Sequence, residues 1–331
     1  MRYKVAIIGT GKIAGLFDSP QNKDGIFTHA QACSKLRNIY LEAACDKNLK
    51  RLNKFCRVWG VKDKYRDVHE LLNKKKLDII LLCTPNHTHF SLARDILRHP
   101  HRPQILLVEK PICLNKTELF WMSKILENCN TKLIVNHKYR FQSGLEKIIA
   151  LIKNGTLGKP LSIRVVYYGG LFNNGVHVLD TLRMVTGSEF RIISAKIGAS
   201  GPKQDFCVDA ELLLKEHPKV KISIESFEEK YYQLYEMEIR LAFGRIRIMD
   251  FGERIFIDKA LTNNLAEKEL KNIAQIPMSR NDSPLMNLFK KIIAYLDHGD
   301  VSILSAVGIK EAAKTMVSLW EIKDKALRWQ N

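Results

Sequence analysis

From Lys4 to Val135 the chain alternates short, continuously apolar runs with longer amphipathic ones, a rhythm few folds can accommodate. The apolar runs Lys4 to Ile8, Tyr40 to Cys45, Leu77 to Cys83, Gln104 to Val108 and Lys132 to Val135 read as strands. Between them Thr28 to Leu36, Leu49 to Trp59, Val68 to Lys74, Thr88 to Arg98 and Lys116 to Asn128 read as helices. A strand such as Ile79-Ile80-Leu81-Leu82 has no polar face, so both of its faces must be covered, which is the situation inside a parallel sheet. Strand and helix in turn therefore predict an α/β domain with a doubly wound parallel sheet over residues 1–136.

After Asn136 the pattern changes. A helix over Gly144 to Lys153, a strand over Leu161 to Tyr168 and a helix over Val176 to Thr186 lead into successive strands with no crossover helices. These are Phe190 to Gly198, Phe206 to Lys215, Val220 to Glu225, Tyr235 to Ala242 and Gly244 to Met249. Short turns between strands favour a mostly antiparallel open sheet, so residues 137–331 are expected to form a second, α+β domain closed by helices near Leu285 to Leu296 and Ile309 to Leu327.

Composition narrows the function. Seven cysteines form no C-x-x-C pair and sit in apolar segments, which suits buried thiols and leaves no expected metal site. No apolar run approaches the roughly 20 residues of a membrane span, and no secretory leader is evident, so a cytoplasmic protein without membrane attachment is expected. The net charge of +18 is concentrated in residues 1–142, where 26 Lys and Arg face 12 Asp and Glu. That excess suits an anionic ligand, or simply solvated lysine-rich faces, but without interleaved aromatic residues it does not read as a nucleic-acid surface.

The chemistry is carried by motifs at predicted strand ends, where ligands of open α/β sheets bind. In Gly9-Thr10-Gly11-Lys12-Ile13-Ala14, Gly9 permits a tight turn, Gly11 lets backbone approach a pyrophosphate, and small Ala14 allows close packing. Asp46 ends the second strand and is placed to hold adenine-ribose hydroxyls, favouring NAD; Lys47, Lys50 and Arg51 keep NADP as the alternative. The polar stretch Asp18 to Gly25 reads as an insertion between the glycines and this aspartate. Thr84, Pro85 and Asn86 flank the expected cofactor, and Glu109-Lys110-Pro111 brings a cation to the nicotinamide end. His87 and His89 read as capping or packing residues at a helix start rather than a metal pair.

With Val135-Asn136-His137-Lys138-Tyr139-Arg140-Phe141 and Gly169-Gly170-Leu171-Phe172-Asn173-Asn174-Gly175-Val176-His177-Val178-Leu179-Asp180, these motifs stand in an order that resembles the Gfo/Idh/MocA oxidoreductases, the glucose-fructose oxidoreductase and inositol dehydrogenase group. The resemblance covers essentially the whole chain. It implies an N-terminal Rossmann domain binding NAD or NADP, and a C-terminal domain that often serves oligomerisation, here a homodimer or homotetramer. It also implies a sugar or cyclitol substrate. Carried to matching positions, it makes Lys110 the catalytic-site lysine and His177 the acid/base. Arg140, Asn173 and Asp180 fall to the substrate, and Lys12, Ile13, His89, Glu109 and Asn136 join the cofactor residues. The family pattern usually has aspartate where this chain has Asn173, and an amide cannot accept a proton.

The expected activity is hydride transfer between NAD(P) and a secondary hydroxyl or ketone of a sugar, the finer reading being a nucleotide-sugar in surface-polysaccharide biosynthesis. A non-catalytic dinucleotide-binding sensor and a redox-neutral NAD-dependent lyase or glycosidase are the alternatives. Asp180 is placed either to orient His177 or to pair with Arg183 one turn on.

Overall fold

The computed structural model describes residues 2–21, 25–198, 205–277 and 283–328. The chain divides into two compact units, Met1–Lys138 with Ser283–Ala313, and Tyr139–Asp282 with Lys314–Asn331. Residues 283–313, placed with the second domain on sequence alone, belong to the first unit.

In the first unit, strands β1 (Tyr3–Ile8), β2 (Ile39–Cys45), β3 (Asp63–Tyr65), β4 (Ile79–Leu82), β5 (Ile105–Val108) and β6 (Lys132–Val135) form one sheet in the order β3-β2-β1-β4-β5-β6. Every pairing is parallel. That is the doubly wound order, with its switch point between β1 and β4. Ile79 to Leu82 and Ile105 to Val108 are buried throughout, as their unbroken apolar sequence demands. The helices between strands start where the sequence supplies a cap: Asn48 accepts from Arg51 N at the start of α2 (Leu49–Trp59), and Asp67 from Glu70 N at the start of α3 (Val68–Lys74).

The second unit is built on eight strands: β7 (Pro160–Tyr168), β8 (Phe190–Ile197), β9 (Val208–Leu214), β10 (Lys221–Phe227), β11 (Glu236–Leu241), β12 (Gly244–Met249), β13 (Arg254–Thr262) and β14 (Lys268–Pro277). Their order is β14-β13-β12-β11-β7-β10-β9-β8, antiparallel except for β10 beside β7. Burial alternates along them, so Ile163, Val165 and Tyr167 of β7 face inward with Met237 and Ile239 of β11 and Ile246 and Ile248 of β12. Helix α7 (Val176–Thr186) contributes Val178, Leu179 and Leu182 to the buried interior.

β13 and β14 have no counterpart in the sequence reading. β14 is an edge strand exposed along nearly its whole length, so its residues carry no alternation to read.

The Tyr167 hydroxyl shows how the sheet is locked. It accepts from Val208 N at 2.8 Å and lies 3.1 Å from Val208 O, inside the core. Tyr167→Phe leaves a buried peptide N–H without its acceptor and is expected to cost about 1–3 kcal/mol in urea unfolding. Unchanged stability would show that the peptide finds another partner.

Candidate active site

Parallel register levels the ends of the first sheet. Ile8 is paired with both Cys45 and Leu82, Leu82 with Val108, and Val108 with Val135. The residues that follow, Gly9, Asp46, Cys83, Glu109 and Asn136, therefore emerge along one edge. Each motif found in the sequence of the first unit starts there.

Gly9 has φ +85, and a Cβ on it would come within 2.8 Å of the Cys83 carbonyl carbon and oxygen. Only glycine fits where β1 turns past the end of β4. Gly11 differs: a Cβ there would meet nothing within 4 Å, so its lack of a side chain leaves open space above the first turn of the short π-type helix Lys12–Leu16. Backbone N–H groups at such a turn have no helical acceptor. The following residues are packed tightly, since Ala14 is fully buried and Gly15 lies against Phe55 and Trp59 of α2.

Asp46 is 6% exposed and accepts five hydrogen bonds: Thr10 N and Oγ1 at 2.8 and 2.9 Å, Asn48 N at 2.8 Å, and Arg51 Nε and NH2 at 2.8 Å each. Burial alone raises the pKa of its carboxyl, but Arg51 and the Thr10 and Asn48 donors outweigh it and hold the group below the usual carboxylate range. Lys47 and Lys50 stand exposed nearby in sequence.

At the end of β5, Glu109 turns inward. Its Oε1 accepts from His29 Nε2 at 2.7 Å and from Asn136 Nδ2 at 2.6 Å. His29 begins α1 (His29–Lys35), so this cluster joins the start of α1 to β5 and β6. Burial works to raise the pKa of Glu109, but His29, Asn136 and the Lys110 cation together bring it down to about 2. Asn136 Oδ1 is buried without a hydrogen-bond partner among the described residues. Lys110 is half-buried, and Lys110-Pro111 is a cis peptide. Thr84 is half-buried, while Pro85 and Asn86 are exposed at the end of β4.

His89 is fully buried, with Nε2 2.7 Å from Thr84 O and Nδ1 2.7 Å from Pro111 O. It ties the two loops together from inside at the start of α4 (His89–Arg98). Lys12 is exposed and Ile13 half-buried. Among the described residues no cluster of three or more His, Cys, Asp or Glu is arranged to hold a metal ion. None of their helices is long and apolar enough to cross a membrane.

The second unit carries the other group. His177 is 7% exposed in the first turn of α7. Tyr139 meets its ring at 4.8 Å and 82°, and Phe251 at 6.1 Å and 79°. Tyr168 and Tyr235 complete the aromatic wall through Phe251. One turn on, Asp180 is paired with Arg140, whose Nε lies 2.9 and 3.0 Å from the two carboxylate oxygens and whose NH2 lies 2.8 Å from Oδ1. Thr315 Oγ1 also donates to Asp180 at 3.2 Å. Arg183, the i+3 residue, pairs with Glu189 at 2.8 Å.

Asn173 is exposed, and its backbone N–H donates to Asp205 Oδ2 at 2.7 Å, while Phe172 N–H donates to Asp205 Oδ1 at 2.8 Å. Asp205 thus caps the turn that leads into α7. Nothing local to Asp205 signals this, because its partners lie 32 and 33 residues away. Phe251 was missed for the same reason: it stands in the β12–β13 connection, far in sequence from the motif it touches.

Residues 3–137 match the family model described as the oxidoreductase family with an NAD-binding Rossmann fold, Gfo/Idh/MocA. The match covers the first unit's sheet and stops at the start of the second unit. Myo-inositol 2-dehydrogenase of Thermotoga maritima is 23% identical over 272 residues, 77% of this chain and 75% of the relative. An oxidoreductase from Agrobacterium radiobacter, solved with NAD+, L-tartaric acid and magnesium, shares the fold at a TM-score of 0.75 and 18% identity, covering 99% of this chain and 97% of that one. KijD10, a 3-ketoreductase from Actinomadura kijaniata solved with NADP, does so at 0.77 and 14%, covering 98% of each chain.

The family match thus supports an NAD-binding Rossmann fold over residues 3–137 of this chain. Its own residues fit a dinucleotide: Gly11 leaves the approach to the first-turn N–H groups open, and Asn136 Oδ1 is a buried acceptor awaiting a donor.

Two outcomes follow from this geometry. Gly9→Ala is expected to destabilise the fold through its left-handed backbone and the contact with Cys83, whereas Gly11→Ala folds normally but weakens dinucleotide binding, measured by thermal melting and by NADH fluorescence titration. If both variants bind NADH like the parent, the loop is not the phosphate cradle.

Glu109 gives a pH signature. Its pKa is depressed on folding from 4.5 to about 2. Its contribution to stability is therefore fully present above about 4.5 and is lost as pH falls towards about 2. The stability difference between the parent and Glu109→Gln, followed by urea unfolding, is expected to narrow over that window. A difference that stays constant with pH would contradict the ionised pairing.

Proposed function

We propose that this protein transfers hydride between a nicotinamide cofactor and a secondary hydroxyl or ketone of a sugar, a nucleotide-sugar of surface-polysaccharide biosynthesis being the finer reading. The observation that carries the proposal is the retention of two groups suited to moving a hydroxyl proton, Lys110 at the end of β5 and His177 walled by aromatic rings in α7. The sugar-type substrate is supported by the relative named myo-inositol 2-dehydrogenase. The solved 3-ketoreductase with NADP supports the ketone and hydroxyl pair.

The chain's residues take these parts. The glycine loop and the first turn after it hold the pyrophosphate, with Lys12 and Ile13 in that turn; Asp46 and Arg51 face the adenosine end, and Thr84, Pro85 and Asn86 flank the dinucleotide. When bound, the nicotinamide supplies the hydride acceptor or donor. Lys110 stabilises negative charge on the substrate oxygen as its proton leaves. His177 receives that proton in oxidation and returns it in reduction. Asn173 serves by hydrogen bonding, since its amide has no proton-accepting role, and the Arg140–Asp180 pair fixes the α7 segment that carries His177.

The test is absorbance at 340 nm with NAD and with NADP against free sugars, inositols and nucleotide-sugars, using the parent, Lys110→Met and His177→Ala. The parent is expected to turn over at least one substrate, and each variant to lose about 10²-fold or more in kcat. Equal turnover in the variants would remove these roles. Cofactor binding with silence across the panel would move the assignment to a dinucleotide-binding sensor or a redox-neutral lyase.

A further inference from the structure

The β12–β13 connection is more strained than its length requires. Met249 pairs with Arg254, so four residues make the turn. Asp250, Phe251 and Gly252 all have positive φ, of 50, 56 and 95. Glycine takes such a backbone freely and aspartate tolerates it, but a bulky aromatic residue rarely adopts it. A hairpin needing only to turn would place glycine or asparagine at position 251.

The surroundings hold this conformation in place. Asp250 N–H donates to Tyr235 O at 2.9 Å, and the Asp250 carboxylate pairs with Arg254 at 2.6 Å. A Cβ on Gly252 would come within 2.6 Å of the buried Gln142 side chain, so the loop is pressed against the start of α6 (Ser143–Lys153). Backbone strain maintained in this way commonly serves a site.

What the strain achieves is the placement of one ring. Phe251 stacks on Tyr235 at 4.0 Å and 23°, and on Tyr139 at 5.2 Å and 9°. Tyr139 and Phe251 are therefore nearly parallel, and both meet the His177 imidazole close to perpendicular. A phenyl ring can neither donate nor accept a proton, so any effect on turnover must pass through the imidazole and the tyrosine it supports.

The geometry points to Phe251 as a positioning residue for His177: its strained turn seats the ring that, with Tyr139, fixes the imidazole. This rests on the reading of His177 as the residue that moves the substrate proton.

The test compares Phe251→Leu, which keeps an apolar side chain without a ring, and Phe251→Tyr, which keeps the ring. With a substrate from the panel above, Phe251→Leu is expected to lower kcat about tenfold or more, with KM and the NADH dissociation constant within about twofold of the parent. Phe251→Tyr should restore most of kcat. Independently of any substrate, carbethoxylation of His177 by diethyl pyrocarbonate, followed by peptide mass spectrometry, should be faster in Phe251→Leu than in the parent or Phe251→Tyr.

Parent-like kcat in Phe251→Leu, or a loss shared equally by kcat and 1/KM, would overturn the positioning role. An equal loss in both variants would do the same. If no panel substrate turns over, the proposed function fails on its own, and the inference is still decided at His177: a modification rate unchanged in Phe251→Leu overturns it, and a faster rate reversed in Phe251→Tyr supports it.

Discussion

The nucleotide edge of this protein depends on one constraint, the hydrogen-bonded register of its parallel strands. The first residue beyond each of five strands stays in the ladder by donating to its neighbour's last residues: Gly9 to Cys45, Asp46 to Tyr65, Cys83 to Ile8, Glu109 to Leu82 and Asn136 to Val108, at 2.8 to 3.1 Å. One residue later each chain leaves the sheet. A slip of a single residue would invert the side chains of a strand whose two faces are both packed, and would carry its motif out of line. The glycine loop, the threonine-proline turn and Lys110 are thus positioned by backbone bonds that depend little on which side chains fill the interior. This explains how relatives of low identity can keep the arrangement.

The second unit places His177 differently, by side chains drawn from distant parts of the sequence. Asp205 caps the turn before α7, Arg140 grips Asp180 after it, and Tyr139 and Phe251 close on the imidazole itself. Helix dipole and cap reinforce each other here, since a carboxylate meeting two N–H groups at the start of a helical segment is favoured by both.

That contrast explains what could be read from the sequence. Elements with local punctuation were legible to the residue: Leu49–Trp59 between Asn48 and Gly60, Val68–Lys74 after Asp67, and Val176–Thr186 before Gly187. Gly9 was legible because a conformational need shows directly as residue type. β3, with three residues, and β14, whose exposure hides any alternation, offered no comparable signal. Among candidate site residues, His29, Asp205 and Phe251 were invisible because each acts on a partner many residues away. Residue type can even mislead, since phenylalanine at a left-handed position is evidence against a tight turn. The chemistry of Asp180 was similarly open: the sequence left it between orienting His177 and pairing with Arg183, and the fold adds Arg140, 40 residues away, as a partner.

Three buried acids, Asp46, Glu109 and Asp180, recur at the points where the two units must be accurate, and their cost explains their usefulness. A lone buried carboxylate is strongly disfavoured, so each is stable only while its donors stay in place. Removing one partner from such a cluster costs more than removing the whole cluster, because the charge that remains has lost its compensation. Asp46 therefore locks Thr10 of the glycine loop to Arg51 of α2, Glu109 locks His29 and Asn136 beside Lys110, and Asp180 locks Arg140 and Thr315 beside His177. An apolar residue of similar volume could supply comparable stability at these points, but it would tolerate small rotations and shifts that a carboxylate held at 2.6 to 3.2 Å does not. In each case the acid converts a general requirement for burial into a fixed position for the loop or helix that carries the candidate site residues.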